Sequence, residues 1–569
     1  MEPVLPAWAT ALRDRYLSGE SSVFLLHGNV RDLQPWPDAD GSIRFVSLRD
    51  FLTKFLGRNK DLLVYYNVSE GLEFPTATMQ AAFTRAINVR RVMDRRDPVG
   101  EPFPRAPHTV LGLIEELVTD PATRAAVILD YVETIVPNGD LSFMGEADKA
   151  NLVTLQRLGA DPGLLASDNL VVMVTETLAD VQRRLVASSH VALVDVTLPS
   201  PEDRAQFLRV QDRRGVTLEI TDEQVVKVTA GLSLIQIRSV LRHARQSSEA
   251  INFATINRRK KAIIEQECHG LVEFVEPKHG FAQVGGMEAV KEELMRVAEA
   301  IKQGDRNRVP MGAIFVGPMG TGKTFVAEAF AGESGLTCLK FKNFREKWVG
   351  STEGNLEKIL QVVDGLGYVL LIIDEADRSL SSGGESDGGT GSRVIARLKE
   401  FMSDTSHRGR VLIVMMTNRP DKLDTDLKRP GRFDLKIPFF FPEHPDERRQ
   451  IFAALLKRCG RPVAADLDLD LVVTATAGYS AAEIEAVVLA AANFAAWEGH
   501  EEVRRESLLR ACTDVIPSRD TRMLEYMELL AVFEASARRM LPERYRGMGT
   551  EEVQARLDVV RAQLGSRVA

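Results

Sequence analysis

The sequence has few cysteines, few aromatic residues and no long apolar run. Its four cysteines, Cys268, Cys338, Cys459 and Cys512, are far apart and lack CxxC spacing, which argues against a disulfide framework or a cysteine metal site. No run approaches the roughly 20 apolar residues that cross a bilayer. The first residues also lack the basic and apolar regions of a secretion signal. We therefore expect a cytoplasmic protein without a membrane partner.

An excess of positive charge and a zinc-protease signature are lacking as well. The net charge is −8, so the overall electrostatics give no indication of a nucleic-acid partner. Four basic residues at 258–261 could contact phosphate groups, but two glutamates follow them closely, and we favour a solvated helix face as their explanation. His-Glu-x-x-His does not occur in the chain, so the sequence does not support a protease of that class.

Short apolar runs alternate with helical segments up to about residue 250, as in Leu62–Tyr66, Ala126–Asp130 and Leu170–Val174. This pattern predicts an α/β fold with a buried parallel sheet. Shifting the chain by about 244 residues aligns several segments of this half with the second half in the same order. For example, Thr229–Ser233 matches Thr476–Ser480. General likeness among α/β domains is the alternative; we interpret the first half as a degenerate copy of the second.

Only the second half carries a phosphate-binding loop, which follows the apolar run 313–316 and precedes a helix-forming segment. Its glycines allow backbone N–H groups to surround a phosphate at the N-terminus of a helix. Lys323 can reach the β- and γ-phosphates, and the Thr324 hydroxyl can ligate Mg²⁺. We expect nucleotide to bind Gly317, Pro318, Met319, Gly320, Thr321, Gly322, Lys323, Thr324 and Phe325.

Polar residues follow two further apolar runs. Asp374 and Glu375 end the run 368–373, where Asp374 can orient Mg²⁺ and Glu375 can polarise a water for attack on the γ-phosphate. Asn418 follows the run 411–416, and its amide could contact both the γ-phosphate and that water. A plain turn residue before Pro420 is the alternative for Asn418.

Two arginines, Arg429 and Arg432, flank a Pro-Gly turn. Such a turn suits insertion into the site of a neighbouring subunit, where guanidinium groups neutralise charge on phosphoryl oxygens. Ordinary surface arginines remain the alternative for an isolated Arg-Pro-Gly-Arg.

Taken together, residues 281 to about 500 resemble the AAA family, which includes the proteasomal regulatory ATPases and katanin. The loop, the acidic pair, Asn418 and the two arginines match its Walker motifs, sensor 1 and arginine fingers. The resemblance implies ATP and Mg²⁺ as cofactors, a homo-oligomeric ring, typically a hexamer, and adenine contacts from Val284 and Gly285. Met402-Ser403-Asp404 departs from the Met-Asp-Gly that helps subunits communicate in relatives, so coordination between neighbours is expected to differ.

The segment 345–353 resembles the family's pore loop, and 381–389 is placed like the second pore loop. By this resemblance Lys347, Trp348 and Val349 would contact a protein client, because a large aromatic side chain can grip many sequences. A core position for Trp348 is the alternative.

These patterns and the resemblance predict a P-loop NTPase parallel sheet with a C-terminal helical lid, preceded by a degenerate AAA-like α/β module. The expected domains are a module without Walker A (1–250), a linker (251–280), the ATPase subdomain (281–440), the lid (441–515) and a helical tail (516–569). The expected function is an ATP-hydrolysing ring that remodels, unfolds or translocates a protein client. The alternative is an ATP-regulated assembly switch that does not thread a client.

Overall fold

The computed structural model describes residues 5–38, 41–212, 214–268, 270–341, 352–379, 390–429, 431–464, 467–518 and 520–565. The chain divides into two compact units. The first comprises Met1–Ile264 with Glu353–Gly365, and the second comprises Glu265–Thr352 with Leu366–Ala569.

The first unit is built from strands and helices that alternate along the chain. In chain order the elements are α1 (Ala7–Leu17), β1 (Val23–Gly28), β2 (Gln34–Pro37), β3 (Ile43–Val46), α2 (Leu48–Leu56), β4 (Leu62–Asn67), β5 (Gly71–Glu73), α3 (Ala77–Met93), α4 (Pro107–Val118), β6 (Ala125–Asp130), α5 (Glu146–Gly159), α6 (Pro162–Ala166), β7 (Leu170–Val174), α7 (Arg183–Val186), β8 (Ala192–Val196), α8 (Pro201–Val210), α9 (Asp222–Val228), α10 (Leu234–Ser247) and α11 (Phe253–Glu267).

The second unit repeats this alternation and ends in helices. Its part of the chain continues with β9 (Val272–Val275), α12 (Glu288–Gln303), β10 (Gly312–Val316), α13 (Lys323–Ser334), β11 (Thr337–Phe341), α14 (Thr352–Leu366), β12 (Val369–Ile373), α15 (Ala376–Ser379), α16 (Thr390–Ser403), β13 (Val411–Thr417), β14 (Leu435–Pro438), α17 (Pro445–Arg458), α18 (Asp470–Ala475), α19 (Ala481–Trp497), α20 (Arg505–Asp514), α21 (Thr521–Glu534), α22 (Glu543–Arg546) and α23 (Thr550–Leu564). Most of α14 belongs to the first unit.

Both units contain a six-stranded sheet, and five strands of each follow the same order; the remaining edge strand is β5, which follows β4 in the chain, in the first unit and β9, which precedes β10, in the second. The first sheet runs β8-β1-β7-β6-β4-β5 and the second runs β14-β10-β13-β12-β11-β9. In each, the last strand is antiparallel to its neighbour and all other pairs are parallel. The predicted α/β class with parallel sheets is confirmed. The shared order is the structural counterpart of the internal repeat.

The buried strands explain the near-continuous apolar runs in the sequence. Val23 and Leu25 of β1 pack into one core of the first unit, whereas Phe24 and Leu26 pack into the core on the opposite face of the sheet. Successive side chains of a strand point to opposite faces. A strand covered on both faces must therefore be apolar at every position.

A buried arginine joins two helices of each unit to the loop that precedes them. Arg204 in α8 donates to carbonyl oxygens of the preceding loop and of α9, at 2.6 and 3.2 Å. Arg448 in α17 donates to carbonyl oxygens of its own preceding loop and of α18, at 3.1 and 3.0 Å. Both arginines are buried, so these bonds satisfy groups that water does not reach.

The last three helices form a small cluster of their own in the second unit. In α23 the residues Val553, Leu557, Val560 and Leu564 are buried against a core that also contains Tyr526 of α21. The sequence left open whether this apolar face docks on its own chain or on a neighbour. Here it packs on its own chain, as the 3.6-residue periodicity of a helix allows. Among the described residues, no helix is both long and apolar enough to span a bilayer.

A buried aspartate, Asp32, connects the loop after β1 to the N-terminus of α10. Its carboxylate accepts the backbone N–H groups of Leu234 at 2.8 Å and Ile235 at 3.0 Å. Burial raises the pKa of Asp32, while these N–H groups and the side chain of Asn29 oppose the shift. The carboxylate thus satisfies the otherwise unpaired N–H groups of a helix terminus.

We predict that Asp32→Ala lowers the stability of the first unit by about 1–3 kcal/mol, because two buried N–H groups lose their acceptor. Trp8 and Trp36 are buried in this unit, so their fluorescence during urea unfolding gives the measurement. Asp14→Ala, at an exposed aspartate, is the matched control. Equal midpoints for the two variants would contradict the assigned anchor.

Candidate functional site

The candidate site lies where β10, β12 and β13 end. Register pairs Val316 with Thr417 and Ile373 with Met415, so the loop after β10 and the residues after β12 and β13 gather at one edge of the sheet. Gly317 has φ 153°, and a Cβ there would lie 2.1 Å from the carbonyl oxygen of Phe439. The loop can therefore turn only with glycine at this position.

Lys323, near the end of the phosphate-binding loop, forms hydrogen bonds with the start of that loop and with Asn418. Its Nζ donates to the carbonyl oxygens of Gly317 at 2.9 Å and Pro318 at 2.8 Å, and to Oδ1 of Asn418 at 2.7 Å. Burial lowers the pKa of Lys323 to about 8, although the charges of Asp374 and Asp377 oppose the shift. The ammonium group thus joins two of the predicted elements, the loop and Asn418.

Thr324 and Asp374 provide the oxygens that suit Mg²⁺. Thr324 Oγ1 donates to Asp374 Oδ2 at 3.3 Å, close to the roughly 3 Å that separates adjacent ligand oxygens around an octahedral Mg²⁺. Lys340 Nζ also lies 3.0 Å from that carboxylate oxygen. Because Mg²⁺ in nucleotide sites takes few protein ligands and completes its shell with phosphates and water, one hydroxyl and one carboxylate fit this ion.

Glu375 has an unusual backbone conformation. Its φ is 48°, and its N–H donates to Asp374 Oδ1 at 3.0 Å. Non-glycine residues in the left-handed region cost free energy and cluster at functional sites. This conformation turns Glu375 away from the path of β12, and its side chain is exposed.

A cavity of about 870 Å³ opens at this edge of the sheet, a size that accommodates a small-molecule cofactor. Twelve of the residues predicted to contact nucleotide or carry out catalysis line it: Val284, Gly285, Met319, Gly320, Thr321, Gly322, Lys323, Thr324, Phe325, Asp374, Glu375 and Asn418. Gly317 and Pro318 are not among its lining residues, but their carbonyl oxygens hold Lys323.

Sequence reasoning missed the part of the cavity formed by the helical lid. Ile451 and Leu455 of α17 add apolar surface, and Arg458 and Glu485 form an ion pair that also lines the cavity. The Arg458 guanidinium lies 4.8 Å from the ring centroid of Phe325. These positions depend on how the lid folds back, and no local sequence pattern marks them.

The lid is bonded directly to the phosphate-binding loop. The N–H of Ala482, at the start of α19, donates to the carbonyl oxygen of Gly320 at 3.0 Å. Ser480 caps the same helix in a reciprocal bond with Glu483. The helix start therefore closes the cavity from the lid side and is fixed by its own cap.

Arg429 and Arg432 do not line this cavity. The Arg429 side chain is 73% exposed and pairs with Asp426 at 3.1 Å. Arg432 donates to the carbonyl oxygen of Asp426 at 2.9 Å and to Ser403 Oγ at 3.4 Å. Ser403 is one of the two residues, with Asp404, at which the sequence departs from Met-Asp-Gly. The three residues predicted to form the pore loop, Lys347, Trp348 and Val349, lie outside the described residues, as does 381–389.

The corresponding edge of the first unit has a different chemistry. Arg31, in the loop after β1, pairs with Asp130 at 2.9 Å and Glu176 at 3.4 Å, and its guanidinium stacks 3.8 Å from the ring centroid of Tyr131. Tyr131 has φ 55°, and its backbone N–H donates to Asp130 Oδ1 at 2.9 Å, as the N–H of Glu375 does to Asp374 Oδ1. The geometry of the acidic turn is thus repeated, but an arginine of the same chain neutralises its carboxylate.

Three family models match successive parts of the chain. Residues 2–197 match the AAA+ chaperone N-terminal Rossmann-like domain, and residues 202–269 match the AAA+ chaperone second helical domain. Residues 313–441 match the ATPase family associated with various cellular activities. The last match contains the loop, the acidic pair, Asn418 and both arginines.

Curated relatives share parts of the chain. An ATP-dependent zinc metalloprotease FtsH 1 from Sphaerobacter thermophilus is 34% identical over 47% of this chain and 43% of its own length. A Cell division cycle protein 48 homolog from Archaeoglobus fulgidus is 27% identical over 63% of this chain and 53% of its own. An uncharacterized AAA domain-containing protein ycf46 from Guillardia theta is 29% identical over 60% and 68%. The chain thus spans less than half the length of the first of these.

We predict that one nucleotide binds per chain and that Lys323→Ala abolishes this binding, because the loop occurs only in the second unit. Calorimetric titration with ADP gives the stoichiometry. Arg31→Ala, the matched change in the first unit, should leave the value at one. Two sites in the unmodified chain, or one remaining after Lys323→Ala, would show that the first unit binds nucleotide.

Proposed function

Since the chain belongs to the AAA family of ATPases, we propose that it hydrolyses ATP to ADP and phosphate in a homo-oligomeric ring, a hexamer, and uses the free energy to remodel a protein client. The observation that carries this proposal is the set of contacts around Lys323. One ammonium group joins the phosphate-binding loop to Asn418 at the mouth of a nucleotide-sized cavity.

The roles of the site residues follow from their chemistry. Lys323 and the loop N–H groups bind the phosphates, and Asn418 orients the γ-phosphate and the attacking water. Thr324 and Asp374 would hold Mg²⁺, which would neutralise charge on the phosphate oxygens. Glu375 accepts a proton from the attacking water, since its carboxylate lines the cavity and is not buried in the core.

The positions of Arg429 and Arg432 support a ring. Both are absent from the lining of the cavity in their own chain, and Arg429 is largely exposed. Arginines that complete a phosphoryl-transfer site accelerate it by about 10³–10⁵. We therefore assign them to the site of the neighbouring subunit, which makes hydrolysis dependent on assembly.

Protein substrates are the proposed clients. One relative is by name a metalloprotease that depends on ATP, and the Archaeoglobus relative is by name a homolog of a cell division cycle protein. For this chain we propose that Trp348, with Lys347 and Val349, contacts an extended polypeptide in the ring. If the chain makes no such contact with a polypeptide, the alternative function applies, in which ATP hydrolysis controls assembly and no client is threaded.

Chains that carry Glu375→Gln or Arg432→Ala should each be nearly inactive. We expect the hydrolysis rate to fall by about 10²–10⁴-fold when the base is lost and by about 10³-fold or more when the finger is lost. An equal mixture should recover up to about a quarter of the unmodified rate, because that fraction of interfaces pairs an intact site with an intact finger. Phosphate release measures the rate. No recovery in mixtures shown to co-assemble would rule out fingers that act between subunits.

A Trp348→Ala change in a Glu375→Gln background should reduce the amount of client protein retained in the presence of ATP by about tenfold or more, since an aromatic hot spot contributes about 2 kcal/mol or more. Quantitative mass spectrometry of proteins that copurify gives the measurement. Trp497→Ala removes a 78% exposed tryptophan of the lid and serves as the control. Unchanged retention after Trp348→Ala would favour the assembly switch over threading.

A further inference from the structure

The loop that carries Arg429 and Arg432 is joined at both ends to one residue of the C-terminal tail. Glu534, the last residue of α21, accepts from Lys428 Nζ at 2.5 Å through Oε1 and from Lys436 Nζ at 2.8 Å through Oε2. Lys428 immediately precedes the first arginine, and Lys436 lies in β14, four residues after the second. One carboxylate therefore bridges the two ends of the loop.

This ionic contact is shielded from water. The Glu534 side chain is 10% exposed, and the two lysines are less than a quarter exposed. Burial disfavours the charge of Glu534, but the hydrogen bonds and charges of the two lysines outweigh it and lower the pKa of this carboxyl group. Charge-assisted hydrogen bonds in such surroundings are stronger and more directional than exposed ion pairs.

Backbone bonds fix the same region from the tail side. Ser536, two residues after Glu534, donates its N–H to the carbonyl oxygen of Lys436 at 3.0 Å. Its Oγ accepts the N–H of Lys436 at 2.7 Å. The tail therefore pairs with the edge of β14 directly after it binds the loop, which leaves Glu534 little freedom to move.

A second tail contact reaches the segment after Asn418. The hydroxyl of Tyr526 in α21 donates to Asp421 Oδ2 at 3.2 Å, and Arg419 donates to the same carboxylate at 2.8 Å. The Arg419 guanidinium lies 5.4 Å from the ring centroid of Tyr526. One helix of the tail thus contacts both the residues next to Asn418 and the loop with the arginines.

We propose that Glu534 is a positioning residue for the arginine fingers: it holds the ends of their loop so that both guanidinium groups are presented to the neighbouring subunit. This inference rests on the proposed function, in which those arginines act between subunits. It gives the tail a role in catalysis, although none of the tail residues that the structure describes lines the cavity of its own chain.

Glu534→Gln should lower kcat by about tenfold or more. The loss is only part of the about 10³–10⁵-fold acceleration that such arginines supply, because the arginines are still present but less well positioned. The KM for ATP and the affinity for ADP should stay within about twofold, because no residue that lines the cavity is changed. Glu528→Gln is the matched control, because Glu528 lies on the same helix, is equally buried, and pairs instead with Arg544 and Tyr545. An equal loss of kcat in both variants would reduce the tail to a general structural role and overturn the proposal.

A mixing experiment separates an effect on the neighbour from an effect on the chain itself. A Glu534→Gln chain has an intact site and a poorly placed finger, whereas a Glu375→Gln chain has the opposite defect. Their equal mixture should therefore hydrolyse ATP at several times the mean of the two separate rates. If this mixture shows no gain while the Arg432→Ala mixture does, the role of Glu534 is wrong and the proposed function stands. If neither gains, fingers acting between subunits are wrong.

Lys428→Met tests the same contact from the loop side, should Glu534→Gln fail to fold. It removes the ammonium group and keeps a long, unbranched side chain. We expect the same separation of kcat from KM and the same recovery in the mixture. A Lys428→Met chain with unmodified kcat would show that the ionic contact does not position the arginines.

Discussion

The structure of the candidate site depends on one constraint: parallel strands end at the same edge of a sheet. Because β10, β12 and β13 stop at matching register, the polar residues that follow them converge without any of them entering the core. The Lys323 ammonium group then joins two of these ends through carbonyl oxygens and Asn418. The turn at Glu375 directs that residue away from the path of β12. The hydrogen bond from Ala482 to Gly320 attaches the lid to the phosphate-binding loop.

Sequence alone was sufficient for features set by short-range chemistry. Apolar runs of four to six residues identified β4, β6, β7, β10, β12 and β13, and the loop from Gly317 to Thr324 indicated where the cavity lies, because its glycines satisfy a local backbone requirement. The positions of the acidic pair and Asn418 beside this loop could be predicted for the same reason, since they follow from the strands before them, whereas their catalytic roles stay predictions. The α/β class and the resemblance to AAA proteins agree with the sheets and with the family matches.

Contacts between distant segments could not be predicted in this way. Arg458 reaches the cavity only because α17 folds over Phe325, and Glu534 meets Lys428 across more than a hundred residues of sequence. The Lys340 side chain beside Asp374 is a similar case. No periodicity or motif encodes such pairs, since many charged residues of the chain would satisfy the same local pattern. The apolar face of α23 could be predicted from its periodicity, but its packing against α21 could not.

The two units share one scaffold but differ in the side chains at the ends of their strands. In the first, Arg31 neutralises the acid at the end of β6 and Asp32 neutralises the start of α10. A ligand shifts a conformational equilibrium only by its difference in affinity for the two states. The first unit lacks the glycine-rich loop that would contact the phosphates, so we expect ATP to make no such difference there. In the proposed cycle, the work obtained from hydrolysis would therefore originate in the second unit.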